Sequence, residues 1–89
     1  MTFTVIYTDN ALKDIYKLKK TGNKALLNKL HVLIQELKTH PQSGTGKPEK
    51  LKSNLTGFWS RRISLEHRLV YFIDGQTVTV TVISAYGHY

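Results

Sequence analysis

The dipeptide Asp74-Gly75, set between two runs of β-forming residues, constrains this chain more than any other feature. Asp-Gly between alternating apolar segments is a strong signal for a two-residue hairpin. Arg68–Ile73 precedes it, and Thr77–Ser84 follows it with a clean alternation of Thr and Val. With Asp74 and Gly75 as the turn, Ile73 pairs with Gln76, Tyr71 with Val78 and Leu69 with Val80. Successive strand side chains alternate faces, so Leu69, Tyr71, Ile73, Val78 and Val80 share one apolar face. Arg68, Val70 and Phe72 point the other way, beside Thr77, Thr79 and Thr81. A sheet with one apolar face needs a covering layer.

Upstream sequence supplies that layer. Residues 2–7 alternate Phe3, Val5 and Tyr7 with Thr2, Thr4 and Ile6, the pattern of a strand. Thr8 or Asp9 can then cap a helix carrying Leu12, Ile15, Tyr16 and Lys19 at helical spacing, with Leu18 on its flank. Gly22 ends it and Asn23 can cap a second helix. There Leu26, Leu27, Leu30, Leu33, Ile34 and Leu37 form a continuous stripe that stops near Pro41. Pro41 to Pro48 reads as a loop, with two prolines and two glycines. Gly44-Thr45-Gly46 lacks the preceding strand and the spacing of a phosphate-binding loop. Phe58–Ser64 reads as a further strand. The order is therefore β-α-α followed by an antiparallel meander. The expected class is α+β, with two N-terminal helices packed on one face of a twisted antiparallel sheet.

Eighty-nine residues predict a single domain spanning 1–89. Without cysteine, disulfides, thiolate metal sites and cysteine nucleophiles are excluded. The longest apolar run, Leu69–Ile73, is far short of the ~20 residues of a membrane helix, and the N-terminus lacks the pattern of a signal peptide. A cytoplasmic protein with no membrane role is expected. Thirteen Lys and Arg stand against six Asp and Glu, for a net charge of +7 that suits a polyanionic partner. Lysines dominate residues 13–38, the face of the helices. All three arginines, Arg61, Arg62 and Arg68, fall later, where planar guanidiniums suit phosphate. If the turn before Arg68 is centred on Leu65, Arg62 lies opposite Arg68 on the uncovered face. Arg61 then falls on the core side between Trp59 and Ile63, and should snorkel at an edge.

One block carries more than composition: Gly46-Lys47-Pro48-Glu49-Lys50-Leu51-Lys52, then Asn54-Leu55-Thr56-Gly57-Phe58-Trp59-Ser60-Arg61-Arg62-Ile63, then Glu66-His67-Arg68-Leu69-Val70-Tyr71, and finally His88-Tyr89. It closely resembles the YoeB/Txe toxins, the RelE-like mRNA interferases of toxin–antitoxin pairs. The resemblance covers nearly the whole chain and implies a RelE/ParE-like microbial ribonuclease fold. Such toxins cleave mRNA in the ribosomal decoding site, by attack of a ribose 2′-hydroxyl on the adjacent phosphate. That chemistry needs a base, an acid, cations for the developing phosphorane charge and an in-line fit, but no cofactor or metal.

By motif position the resemblance makes Glu49 the general base, His88 the general acid and Arg68 the residue stabilising the scissile phosphate. Lys52 and Arg62 match supporting phosphate contacts, and Lys47 lies in the same basic segment. Tyr89 resembles the terminal aromatic of the family, able to stack on a base. Plainer readings remain: Glu49 as a loop carboxylate offsetting Lys47, Lys50 and Lys52, and His88 and Tyr89 as an ordinary chain tail. Ala85-Tyr86-Gly87 departs from the basic or aromatic residues that some relatives carry there. His31 and His40 read as helix residues, His67 as a neighbour of Arg68, and Phe58 and Trp59 as sheet packing. A basic RNA-binding module without cleavage, or a ParE-like gyrase inhibitor on the same fold, are the competing functions. The resemblance further implies an acidic cognate antitoxin displacing the His88 tail, ribosome and mRNA as partners, and a possible homodimer. Operator DNA is reached only through the antitoxin.

Overall fold

The computed structural model describes residues 2–51 and 56–84. Its elements run β1 (Thr4–Tyr7), α1 (Asp9–Lys20), α2 (Lys24–Leu37), β2 (Glu49–Lys50), β3 (Phe58–Arg62), β4 (Arg68–Asp74) and β5 (Thr77–Ser84). One five-stranded sheet has the order β1-β5-β4-β3-β2. The α+β class with both helices on one face is as expected, but the sheet is mixed. Its first strand lies parallel to β5, pairing Val5 with Val78 and Tyr7 with Val80. No hairpin joins these two strands, so no turn residue announces their direction.

Both helices start at the expected caps. Thr8 Oγ1 accepts from the Ala11 amide at 3.1 Å and donates to the Thr81 carbonyl at 2.6 Å, tying α1 to β5. Asn23 Oδ1 accepts from Leu26 at 3.1 Å. Gly22, at φ +70°, breaks the chain between the helices. The leucine stripe of α2 is buried as read, through Leu26, Leu30, Leu33 and Leu37. In α1 the buried residues are instead Ala11 and Leu18, with Ile15 packed beside them. Leu12 and Tyr16 stay 52% and 59% exposed, so the expected stripe is rotated by about one position.

The hairpin corrects the expected register. Asp74 pairs with Thr77, leaving Gly75 and Gln76 as the turn, with Gly75 at φ +60°. Positive φ at the first turn position alone is the demand of a type II′ turn, which glycine meets at no steric cost. Ile73 therefore faces Val78 and Tyr71 faces Val80. A slip of two positions keeps every side chain on its face, so Leu69, Tyr71, Val78 and Val80 form the sheet side of the core as expected. Beyond Tyr71 a bulge inserts Thr81, so Val70 meets Val82 and Leu69 meets Ile83 rather than Val80. The Thr81 hydroxyl donates to the Val70 carbonyl at 3.0 Å across the bulge. Among the described residues no helix is long and apolar enough to cross a membrane.

Candidate active site

On the sheet face turned away from the helices, three strands bring charged residues together. Arg62 on β3 stands directly opposite Arg68 on β4, as the turn at Leu65 requires. The next row on that face runs Glu49, Ser60, Val70 across β2, β3 and β4. Glu49 is thus the diagonal neighbour of Arg62, at a Cα separation of about 7–8 Å. Ser60 and Val70 are the buried members of this row, and Ser60 accepts a hydrogen bond from Arg68 Nη1 at 3.4 Å. One carboxylate and two guanidiniums thereby share one face, with a hydroxyl in hydrogen-bond contact with Arg68.

Glu49 owes its placement to a two-residue strand. Lys50, the next residue, turns to the other face, and its Nζ lies 5.6 Å from the Trp59 ring centroid. The flanking lysines are therefore not all beside Glu49. Lys47 adopts φ 50° just before β2 and lines a shallow cleft with Arg62, Gly46 and Lys29 of α2. Phe58 meets Phe72 edge-on, with ring centroids 5.4 Å apart, one row beyond Ser60 on the same face. Trp59 packs against the core, as a sheet residue. Lys52, His88 and Tyr89 lie outside the described residues.

The expected edge position of Arg61 is overturned. Its side chain is fully buried on the core side of β3 and forms a 2.8 Å ion pair with Glu36 of α2. Parity along β3 places it on the helix-facing side, but nothing local announces that a carboxylate, a phenol and several carbonyls converge there. Burial alone pushes the Glu36 carboxyl up. Hydrogen bonds from the Thr45 hydroxyl and amide, with the Arg61 guanidinium, outweigh it and hold the group below the ordinary carboxylate value. Ser60 and Lys29 also escaped the sequence reading. Strand parity could have flagged Ser60, whereas Lys29 approaches only through the packing of α2.

The fold that carries these arginines is shared with bacterial toxins. A YoeB/ParE toxin structure from Agrobacterium tumefaciens superposes with a TM-score of 0.85 at 35% identity, covering 98% of this chain and all of that one. The YoeB–YefM complex of Staphylococcus aureus gives 0.79 at 37% identity, with both chains fully covered. Toxin YoeB of Synechocystis is 41% identical over 85 residues, 96% of this chain and 95% of that protein. The model of the family described as YoeB-like toxin of bacterial type II toxin-antitoxin system matches residues 7–89. This chain belongs to that family.

Proposed function

We propose that the chain is a ribosome-dependent endoribonuclease that cuts mRNA in the decoding site and so stops translation. Glu49 accepts the proton of a ribose 2′-hydroxyl as its oxygen attacks the adjacent phosphorus. The bond from phosphorus to the 5′-oxygen breaks, His88 donates a proton to that oxygen, and a 2′,3′-cyclic phosphate remains. Arg68 neutralises the charge that grows on the phosphoryl oxygens, with Arg62, Lys47 and Lys52 holding flanking phosphates and Tyr89 stacking on a base. Acid, base and cations carry each step, so no metal is called on.

One observation carries this reading: strand register gathers Glu49, Arg62 and Arg68 on the one sheet face that the helices leave open. Opposed arginines are a poor structural choice unless an anion lies between them. A carboxylate one row away is where a proton acceptor for a phosphodiester reaction is needed. Membership of a toxin–antitoxin family adds the partner, an acidic antitoxin that covers this basic face; the related YoeB of Staphylococcus aureus forms a complex with YefM. Charge complementarity accelerates that association. The setting is the cytoplasm, where ribosomes and antitoxin meet it.

Purified protein is incubated with programmed ribosomes, the mRNA ends are mapped, and the assay is repeated with Glu49→Ala, Arg68→Ala and His88→Ala. Cleavage at the decoding site should fall by at least about a hundredfold in each variant. Intact mRNA despite ribosome binding would sink the nuclease and leave a binding module; gyrase inhibition would redirect the reading to the ParE branch.

A further inference from the structure

Arg61 is the largest fully buried side chain among the described residues, and the chemistry above does not use it. A buried guanidinium is tolerated only where its donors and its charge are matched. Here all five N–H donors find acceptors. Nε donates to Tyr71 Oη at 3.2 Å, and Nη1 to Glu36 Oε1 at 2.8 Å and the Thr45 carbonyl at 3.4 Å. Nη2 donates to the carbonyls of His40 at 2.5 Å and Ser43 at 2.6 Å. Tyr71 Oη in turn donates to the Pro41 carbonyl at 2.6 Å. Glu36 completes the ring by accepting from the Thr45 amide at 2.8 Å and hydroxyl at 2.6 Å.

Apart from Glu36 of α2 and Tyr71 of β4, every group bound in this way belongs to the segment between α2 and β2. That segment is rich in Pro and Gly, and four of its carbonyls turn inward onto one Arg–Tyr pair. Near its end, the Gly46 carbonyl accepts from the Arg62 amide at 2.7 Å. The chain then enters β2, two residues paired with Ser60 and Trp59. So short an edge strand has too few ladder bonds to fix its own register. A slip of one residue would turn Glu49 to the core side and put Lys50 on the open face, replacing the proton acceptor with a cation.

We propose that Arg61 is the positioning residue for Glu49: by gathering the carbonyls of residues 40–45 it locks the register of β2. The catalytic part of this inference rests on the nuclease reading; the register part does not. The test uses Arg61→Lys, which keeps the charge but has fewer donors in a different geometry, and Glu36→Gln in case the first variant fails to fold. Hydrogen exchange is followed at the Leu51 amide, bonded to the Phe58 carbonyl at 2.8 Å, and at the Arg62 amide. Both should exchange about tenfold faster while the amides of the β4–β5 ladder keep their protection. On programmed ribosomes kcat should fall by about 10- to 100-fold with KM within about twofold, the split expected when reacting groups are displaced but binding is kept. Unchanged exchange at those two amides, a uniform rise throughout the sheet, or local loosening with an unaltered kcat would each overturn the proposal. If the parent protein cuts no mRNA, the nuclease reading falls and the exchange measurement alone decides the register claim.

Discussion

Arg62 and Arg68 face each other across β3 and β4 with their side chains on the same side of the sheet. Like charges placed directly opposite are destabilising, so this pair holds the free protein below its attainable stability. Arg62→Gln should raise stability at low salt by about 0.2–1 kcal/mol. The gain should fade as salt screens the repulsion. Added RNA oligonucleotide should raise the unfolding temperature of the parent more than that of the variant. A thermal series in salt and oligonucleotide reads all three, and an Arg62→Gln protein no more stable at low salt would refute the repulsion.

The Glu36 carboxyl is held below its ordinary value of 4.5. A depressed folded value means that the stabilisation is complete above the unfolded value and drains away as pH falls through the folded one. Below pH 4.5 the parent should therefore lose stability more steeply than Glu36→Gln. Urea midpoints measured from neutrality into acid give the comparison; parallel curves for the two proteins would show that Glu36 gains nothing from its charge.

Thr8 uses one hydroxyl twice, as acceptor for the α1 cap and as donor to the β5 bulge. Thr8→Ala loses both bonds and should cost about 1–2 kcal/mol. Thr8→Ser keeps the oxygen and should recover most of that. Asn23→Ala, which removes a cap without a second bond in the structure, should cost about 1 kcal/mol. Equal losses for Thr8→Ala and Thr8→Ser in urea titrations would mean that the methyl group, not the hydroxyl, matters.

At Gly46, with φ +85°, an added Cβ would sit 2.8 Å from the Arg62 carbonyl oxygen, a backbone atom that cannot swing away. Gly46→Ala should therefore cost about 1–3 kcal/mol and speed exchange in β2. Gly22→Ala has a positive φ of +70° but nothing within 4 Å of the added carbon, so it isolates the conformational part. The Gly46 variant should be the less stable of the two in a denaturant titration, and the reverse order would contradict the close approach.

Much of this architecture was legible before any coordinates. Periodicity found the leucine stripe of α2, and cap chemistry found Thr8 and Asn23. Strand parity separated Leu69 and Tyr71 from Arg68, and even a turn misplaced by one residue left the faces right because the pairing moved by two. The direction of β1 was invisible, since direction is written in hairpin turns and β1 has none to its partner. The bulge at Thr81 depends on side-chain bonding across strands, which no local pattern encodes. For the site, the cross-strand meeting of Arg62 with Arg68 followed from turn arithmetic. The role given to Glu49 rests on resemblance to a family motif, because two residues are too few to show a period. Arg61 was misjudged because a charge is expected at the surface unless partners converge on it, and its partners come from residues 36–45 and 71.

The parallel pairing of β1 with β5 also has a temporal side. Thr4 meets Thr77 only after 73 further residues exist. At synthesis rates of about 5–20 residues per second, β1 waits roughly 4–15 s for its neighbour. The leucines of α2 wait as well, because the strands they cover are made after them. The sheet that carries the cationic face is therefore completed by one late, long-range closure. With a net charge of +7, the completed fold presents that face to any polyanion as soon as it closes.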